Sequence, residues 1–271
     1  MVWTEFAFAF VTSAIGAIGG LGGAILLVPA LVLTGVAPRV AAPLGLVSVA
    51  AGSLSLSVPH LRERTVNHRL GIVTEVAATT GAVVGALVSG VVSDSFLTRF
   101  LAGVALTAAV LGGRRKGLRN LPDPTLSDTD VGEHVGSLSG AYPLGDEVVP
   151  YRARRVPAGL ALFGVSGLLA GMAGASGGFI KTPATSEVMH VPVRVAAATT
   201  SFTVGLTAAA GLTVMAAQGR LDLHECAAVC VGAVLGGRLG VRLQQRLSPQ
   251  QVRRFLSGVL VVVGLVLLVR A

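Results

Sequence analysis

Long apolar runs, separated by short polar stretches, cover most of the chain. A membrane-spanning helix needs about 17–25 apolar residues, and runs of this length or longer predict eight membrane segments. Their approximate bounds are 4–33, 41–59, 70–92, 96–112, 157–189, 195–217, 222–245 and 251–269. The pattern therefore predicts an all-α integral membrane protein.

One hydrophilic stretch divides the segments into two groups of four. Residues 113–155 contain prolines, acids and bases, and this stretch is too polar to enter lipid. We interpret it as a linker between a first membrane repeat, residues 1–112, and a second, residues 156–271. Within the linker, residues 142–151 around Gly145-Asp146 predict a small hairpin.

Composition agrees with a membrane protein. The 271 residues are 52% hydrophobic and only 13% charged, against about 25% charged in soluble domains. The net charge of +8 does not indicate nucleic-acid binding, because the basic residues lie between apolar runs, as the positive-inside rule expects. Cys226 and Cys230 lie one turn apart on a predicted helix, a poor geometry for a disulfide and too few ligands for zinc. We expect a multi-pass protein of the cell (plasma or inner) membrane, with no cofactor and no metal.

The two halves repeat each other in sequence. With one inserted residue, glycines, prolines and short motifs recur in the same order over more than about eighty residues, which indicates an internal duplication. The matches are Gly20, Gly23, Pro29 and Pro38 with Gly174, Gly177, Pro183 and Pro192, then Arg39-Val40 with Arg194-Val195, Gly81 and Gly85 with Gly236 and Gly240, and Arg99-Phe100-Leu101 with Arg254-Phe255-Leu256.

Glycines interrupt the first segment of each half. Each glycine costs a helix about 1 kcal/mol relative to alanine, so a cluster favours a discontinuous helix or a re-entrant hairpin, as in secondary transporters. The alternative is close helix packing through small residues. The clusters are Gly16, Gly19, Gly20, Gly22 and Gly23 in the first half, and Gly171, Gly174, Gly177 and Gly178 in the second.

The basic residues favour one of two orientations of the halves. If all eight segments cross the membrane, both halves have the same orientation; if the first segment of each half returns to its own side, the second half is inverted. Both arrangements place the linker inside, because basic residues flank it. In the inverted arrangement Arg194 joins the linker inside while Arg39 stays outside, and fewer basic residues lie outside. We therefore expect inverted repeats.

Each half carries a glycine-rich motif that leads to a proline and then to an R-V-A-A stretch. The first copy reads Gly16-Ala17-Ile18-Gly19-Gly20-Leu21-Gly22-Gly23 before Val28-Pro29, and the second reads Gly171-Met172-Ala173-Gly174-Ala175-Ser176-Gly177-Gly178 before Thr182-Pro183. These motifs resemble the TauE/SafE sulfite-exporter family. The resemblance covers the chain except for the linker, which looks like an insertion. It implies a multi-pass permease for sulfite, organosulfonates or related small anions, and it leaves the substrate open.

The two glycine breaks are the first candidates for a substrate site. A small oxyanion needs hydrogen-bond donors in place of water, and a helix N-terminus offers free backbone N–H groups. Glycines let that backbone approach a ligand closely. We therefore predict a site formed by Gly22 and Gly23 together with Ser176, Gly177 and Gly178, with packing alone as the alternative.

Lys181 is the most informative single residue. It follows the second break inside an apolar segment, where a cation costs about 2.5–3.5 kcal/mol. Its counterpart in the first half is Leu27, so the fold does not require a charge there. We predict that Lys181 binds the anion; the alternatives are that it reaches an interface or pairs with Glu187.

Hydroxyl groups and two arginines complete the predicted substrate site. Thr199, Thr200 and Ser201 start the sixth segment, where they would donate to an oxyanion or bond back to their own helix. Arg39 and Arg194 occur at matching places in both halves, which fits anion binding or the anchoring of helix ends.

Glu75 is the candidate for proton coupling. It lies about five residues into the third segment, and its counterpart is Cys230. An acid at this depth can carry a coupling proton or reach the lipid headgroups.

These features predict a secondary transporter that moves a small anion by alternating access. The predicted partners are the anion, the lipid bilayer and a coupling proton or cation, without nucleic acid; homo-oligomerisation stays open. A passive anion channel is one alternative. A rhomboid-like intramembrane serine protease is another, since Gly174-Ala175-Ser176-Gly177 fits G-x-S-G with His190 or His224 as base. We expect no enzyme activity, because the other copy of this motif lacks the serine.

Overall fold

A computed structural model describes residues 2–19, 24–114, 131–144, 147–244 and 249–270 of the chain. The predicted Gly22 and Gly23 lie outside the described residues. The chain is mostly helical, so the prediction of an all-α membrane protein is confirmed. The helices are α1 (Val2–Gly19), α2 (Ala24–Leu33), α3 (Pro38–Arg62), α4 (His68–Val91), α5 (Asp94–Arg114), α6 (Val156–Ala173), α7 (Gly178–Pro183), α8 (Val193–Ala217), α9 (Leu223–Gln244) and α10 (Pro249–Arg270).

The length and hydropathy of the helices fit a bilayer. Five of the described helices contain stretches long and apolar enough to cross a membrane: His68–Val91, Asp94–Leu111, Val156–Ala173, Val193–Ala217 and Leu223–Leu243. Large apolar side chains on their outer faces are exposed, such as Ile72 and Val76 on α4. Exposed apolar faces of this kind are stable against lipid rather than water.

Helices from the two halves pair crosswise. Helix α1 packs along α9, and α6 packs along α4, while α3 faces α8 and α5 faces α10. Glycines allow the close approach of these helices, because a Cβ at Gly171 would overlap the carbonyl group of Ala82 on α4, and one at Gly236 on α9 would overlap that of Phe10 on α1. Small residues at contacts between membrane helices serve this purpose.

The chain breaks between α6 and α7, at the elbow formed by residues 174–177. Gly174 has φ +65° and ends α6 in the left-handed conformation, which glycine adopts without strain. Helix α7 then continues into a π-helical turn, Ala184–Val188; we call residues 178–188 the return arm. Just after the arm, the Met189 carbonyl accepts the N–H of Arg154, which precedes α6, at 2.8 Å. The end of the arm therefore lies beside the start of α6.

Two ion pairs mark the opposite ends of α3. At its start, Arg39 pairs with Asp94 at 3.1 Å, and Arg220 donates to the Arg39 carbonyl at 2.9 Å. At its end, Glu63 pairs with Arg194 at 2.9 Å. We call the end with Arg39 the terminal side, and the end with Arg194 the linker side. Arg39 and Arg194 thus lie at opposite ends of the helix bundle.

The linker contains a small antiparallel sheet of β1 (Gly132–Glu133), β2 (Ser139–Leu144) and β3 (Glu147–Arg152), in that order. Strands β2 and β3 pair up to Leu144 and Glu147, so the predicted hairpin over residues 142–151 is confirmed. Strand β1 was not predicted. The inner face of the sheet packs on the linker side of the bundle, where Tyr142, Val149 and Tyr151 join Leu70, Met189, Val191 and Val195.

Candidate functional site

A buried ionic cluster lies between the return arm, α4 and α8. Lys181 of the arm is 0% exposed, and its Nζ donates to Glu75 Oε2 at 2.7 Å. The same ammonium donates to Thr207 Oγ1 of α8, and Thr207 in turn donates to Glu75 Oε1. The ring of Phe163 on α6 lies below the ammonium, with its centroid 5.4 Å from Nζ. We call these four residues the Lys181 cluster.

The first half has no such cluster at the matching places. Leu27, the counterpart of Lys181, is fully buried and belongs to an apolar core with Ile25 and Leu31. Cys230, the counterpart of Glu75, is exposed. A buried ion pair is often no more stabilising than apolar residues of similar volume, and Leu27 shows that an apolar side chain suits this place in the repeat. Stability therefore does not account for the pair.

The elbow presents polar groups close to the cluster. Ser166 Oγ donates to the Gly177 carbonyl at 2.8 Å, and Gly178 N–H donates to Ser176 Oγ at 3.3 Å. Within the described residues, the N–H groups of Ser176 and Gly177 donate to no backbone carbonyl. Both residues are buried.

Of the three predicted hydroxyl residues, Thr200 has the most suggestive environment. Its Cγ2 would lie 3.6 Å from a Cβ at Gly178, so Thr200 lies against the start of the return arm, next to the elbow. Its Oγ1 is buried and has no hydrogen-bond partner among the described residues. Thr199 instead accepts the N–H of Asn67 at 3.0 Å, and Ser201 is only partly buried. An unpaired buried hydroxyl is costly, which suggests a group that is satisfied when a ligand is present.

Comparison with known proteins identifies the family of this chain. The pattern that defines the sulfite exporter TauE/SafE family matches residues 5–267. The chain belongs to the TauE/SafE family. It is also 26% identical over 263 residues to the Bacillus subtilis (strain 168) protein named "Probable membrane transporter protein YunE", covering 94% of this chain and 92% of that protein. No solved structure matches the chain.

Membership of TauE/SafE makes the chain a multi-pass membrane protein and favours a transporter over an enzyme. The geometry around the G-x-S-G motif also favours a transporter over a serine protease. His190 and His224, the predicted bases of a protease, are exposed, and neither forms a hydrogen bond with Ser176 among the residues that the structure describes. Ser176 Oγ instead accepts the Gly178 N–H.

The structure brings some predicted site residues of this TauE/SafE protein together and separates others. Lys181 contacts Glu75, and Thr200 lies against Gly178 at the start of the return arm. Arg39 and Arg194 lie at the two ends of α3 instead, in half-exposed ion pairs with Asp94 and Glu63. Their geometry is that of helix-end anchors.

Two features of the cluster were missed in the sequence. The carboxylate partner of Lys181 is Glu75 and not Glu187, which is exposed. Thr207 was not identified, although a signal exists: Thr200, Thr203 and Thr207 follow helical spacing on α8 and all three are buried. A buried hydroxyl stripe on a membrane helix is a marker of a polar interior.

The sheet is hydrogen-bonded to the linker-side end of α4, which contacts α8. Asn67 caps α4 by accepting the Leu70 N–H at 2.9 Å, and its Nδ2 donates to the Tyr151 hydroxyl at 3.0 Å. Burial raises the pKa of Tyr151 to about 12, so this hydroxyl stays protonated at neutral pH. The sheet is therefore hydrogen-bonded to the residue that starts α4 and that also contacts Thr199.

Proposed function

We propose that this TauE/SafE protein is a secondary carrier that moves a small anion by alternating access, the anion being sulfite, an organosulfonate or a related sulfur oxyanion or carboxylate. The observation that carries the proposal is the fully buried ammonium of Lys181, held inside a membrane bundle next to a broken helix. Charged groups at this depth mark substrate and ion pathways. A transporter name on the Bacillus subtilis relative supports the same activity.

In this proposal each part of the site has a separate task. Lys181 supplies the positive charge that an anion needs in a medium of low dielectric constant. The N–H groups of Ser176 and Gly177 and the hydroxyl of Thr200 supply hydrogen bonds in place of water. From the sequence alone, the proposal adds Gly22 and Gly23 of the matching glycine-rich motif in the first half to this site.

Replacing Thr200 by valine tests the site. Because Thr200 Oγ1 has no partner among the described residues, the Thr200→Val variant should fold with unchanged or higher thermal stability. A hydrogen bond to a charged group contributes about 1.5–3 kcal/mol, so we expect anion affinity to fall roughly tenfold or more. The measurement is a thermal-shift screen of sulfite, sulfonates, sulfate, thiosulfate and small carboxylates.

In that screen, an anion at about a hundred times its Kd should stabilise the wild type by about 2.7 kcal/mol. The matched control is Thr213→Val, on an exposed face of the same helix, where the hydroxyl bonds back to Ala209. Equal affinities of the Thr200→Val and Thr213→Val variants would remove Thr200 from the site.

We further propose that residues 1–112 and 156–271 form inverted repeats that rock against each other, joined by the linker 113–155. The opposite positions of Arg39 and Arg194 along α3 support this arrangement, as does the return of the second-half arm to the start of α6. Alternating access in inverted-repeat carriers uses such rocking around a central site.

Cysteine labelling tests the inverted arrangement. On a background with Cys226 and Cys230 replaced by serine, Ala37→Cys and His190→Cys introduce exposed thiols near Arg39 and Arg194. An impermeant maleimide should label Ala37→Cys in intact cells, and His190→Cys only after the membrane is permeabilised. Labelling of both sites from the same side would rule out inverted repeats.

Flux measurements separate a carrier from a passive channel at this site. Saturable, gradient-driven uptake of the anion into proteoliposomes is the expected result. Currents far above carrier turnover would instead identify a channel.

A further inference from the structure

The Lys181 cluster is closed on itself. Two donors of the ammonium are used by Glu75 and Thr207, and Nζ also lies over the Phe163 ring. Each carboxylate oxygen of Glu75 accepts one hydrogen bond within the cluster. The third donor of the ammonium has only the Phe163 ring beside it among the described contacts, so an anion that forms a full ion pair with Lys181 competes with the Glu75 carboxylate.

Among the residues that the structure describes, no second cation is in salt-bridge contact with Glu75 to compensate this exchange. The elements around the ammonium are the return arm, α4, α6 and α8, and they contribute Lys181, Glu75, Phe163 and Thr207. Within the described part of the chain, Glu75 is the sole carboxylate in salt-bridge contact with Lys181. Glu187, on the same arm, is exposed.

The charge balance of the cluster then determines what accompanies the anion. The resting pair is neutral, and Glu75 is buried within the bundle. If a monovalent anion entered alone, Glu75 would be left as an unpaired carboxylate, which is very unfavourable in a medium of low dielectric constant. One proton on Glu75 restores neutrality.

We infer that the anion and Glu75 compete for Lys181, and that Glu75 takes up one proton when the anion displaces it. This inference rests on the proposed function and makes the protein a symporter of one proton with each monovalent anion. The proton comes from water on the side from which the anion enters and binds to a carboxylate oxygen of Glu75. When the anion leaves on the other side, Glu75 releases the proton there and pairs with Lys181 again.

Thr207 fits both states of this cycle. A hydroxyl group is one donor and also an acceptor, and it rotates to suit its partner. In the resting state Thr207 donates to the Glu75 carboxylate and accepts from Lys181. When Glu75 is protonated, the same hydroxyl can accept its O–H. Thr207 is thus a positioning residue.

Proton uptake on binding tests the inference directly. The purified full-length protein is titrated with methanesulfonate, which keeps one negative charge at all pH values used, and separately with sulfite, in weakly buffered detergent solution with a pH indicator. The wild type should take up one proton per methanesulfonate bound. In the pH range where this holds, its Kd should rise tenfold per pH unit.

Glu75→Gln removes the competing carboxylate. This variant should bind methanesulfonate without taking up a proton, and its Kd should not depend on pH. At high pH its Kd should be lower than the Kd of the wild type. In proteoliposomes it should keep anion exchange but lose accumulation driven by a pH gradient. The matched control is Glu187→Gln, which removes a carboxylate from the exposed face of the same arm and should behave as the wild type.

The outcomes separate the inference from the proposed function. If the wild type binds an anion without taking up a proton, or if Glu75→Gln keeps the pH dependence, the competition is refuted while the anion carrier stands. If the wild type binds neither probe at any pH, the proposed sulfur-oxyanion site fails, and the inference fails with it. If the Glu75→Gln variant does not fold, the number of protons that the wild type takes up per anion tests the inference by itself. The Thr207→Val variant keeps Glu75 and should also take up one proton per anion.

Discussion

Replacing Lys181 by leucine should abolish anion binding and destabilise the protein, and a second substitution should restore the stability. Leucine occupies the matching place in the first half as the fully buried Leu27, so its shape is tolerated. The Lys181→Leu change, however, leaves Glu75 buried without its ammonium partner. Removing one member of a buried ion pair costs about 3–5 kcal/mol.

Thermal unfolding with and without sulfite or methanesulfonate measures both effects. The Lys181→Leu variant should unfold at a lower temperature than the wild type, and the difference should grow as the pH rises. The reason is that Glu75, now buried without a cation, is tolerated only in its neutral form. The double variant Lys181→Leu with Glu75→Leu should regain stability, because apolar residues often replace a buried ion pair without loss. Neither variant should respond to the anion. Wild-type affinity in either one would show that Lys181 does not bind the substrate.

Two glycines of α3 should respond in opposite ways to the same substitution. A Cβ at Gly45 would overlap the carbonyl oxygen of Gly174 and the side chain of Val28, whereas one at Gly52 meets nothing within 4 Å. The elbow cannot yield easily at Gly174, because this residue has φ +65° and itself lies against the backbone of Ala42.

We therefore expect Gly45→Ala to destabilise the protein by about 1–3 kcal/mol, the usual effect of overpacking, and to lower transport because the elbow is displaced. Gly52→Ala should be neutral or stabilise α3 by up to about 1 kcal/mol through helix propensity. Thermal unfolding of the two purified variants decides. Equal stabilities would mean that α3 does not pack against the elbow as described.

Hydropathy alone was enough to predict the fold class and the approximate segments, because a bilayer requires long apolar helices. The linker hairpin was also predictable, since Gly145-Asp146 favours a tight turn. The packing of the sheet on the bundle was not predictable, because nothing in the sequence shows that Tyr142 and Tyr151 contact Met189 and Val195.

The candidate site was predictable residue by residue but not as a cluster. Lys181 and Glu75 each stand out as charges in apolar runs. They are 106 residues apart, however, and Glu187 was the nearer partner in sequence. The glycines were ambiguous for a similar reason. Gly171 serves close packing against Ala82, whereas Gly174 ends a helix, and sequence alone cannot separate the two uses.

The sheet of the linker packs against both the start of α6 and Met189, the residue that follows the return arm. Three residues lie between the end of β3 at Arg152 and the start of α6 at Val156, and among them Arg154 donates its N–H to the carbonyl of Met189, just after the return arm. A water-soluble molecule that binds the sheet would therefore act, through this contact, on the segment that carries Lys181.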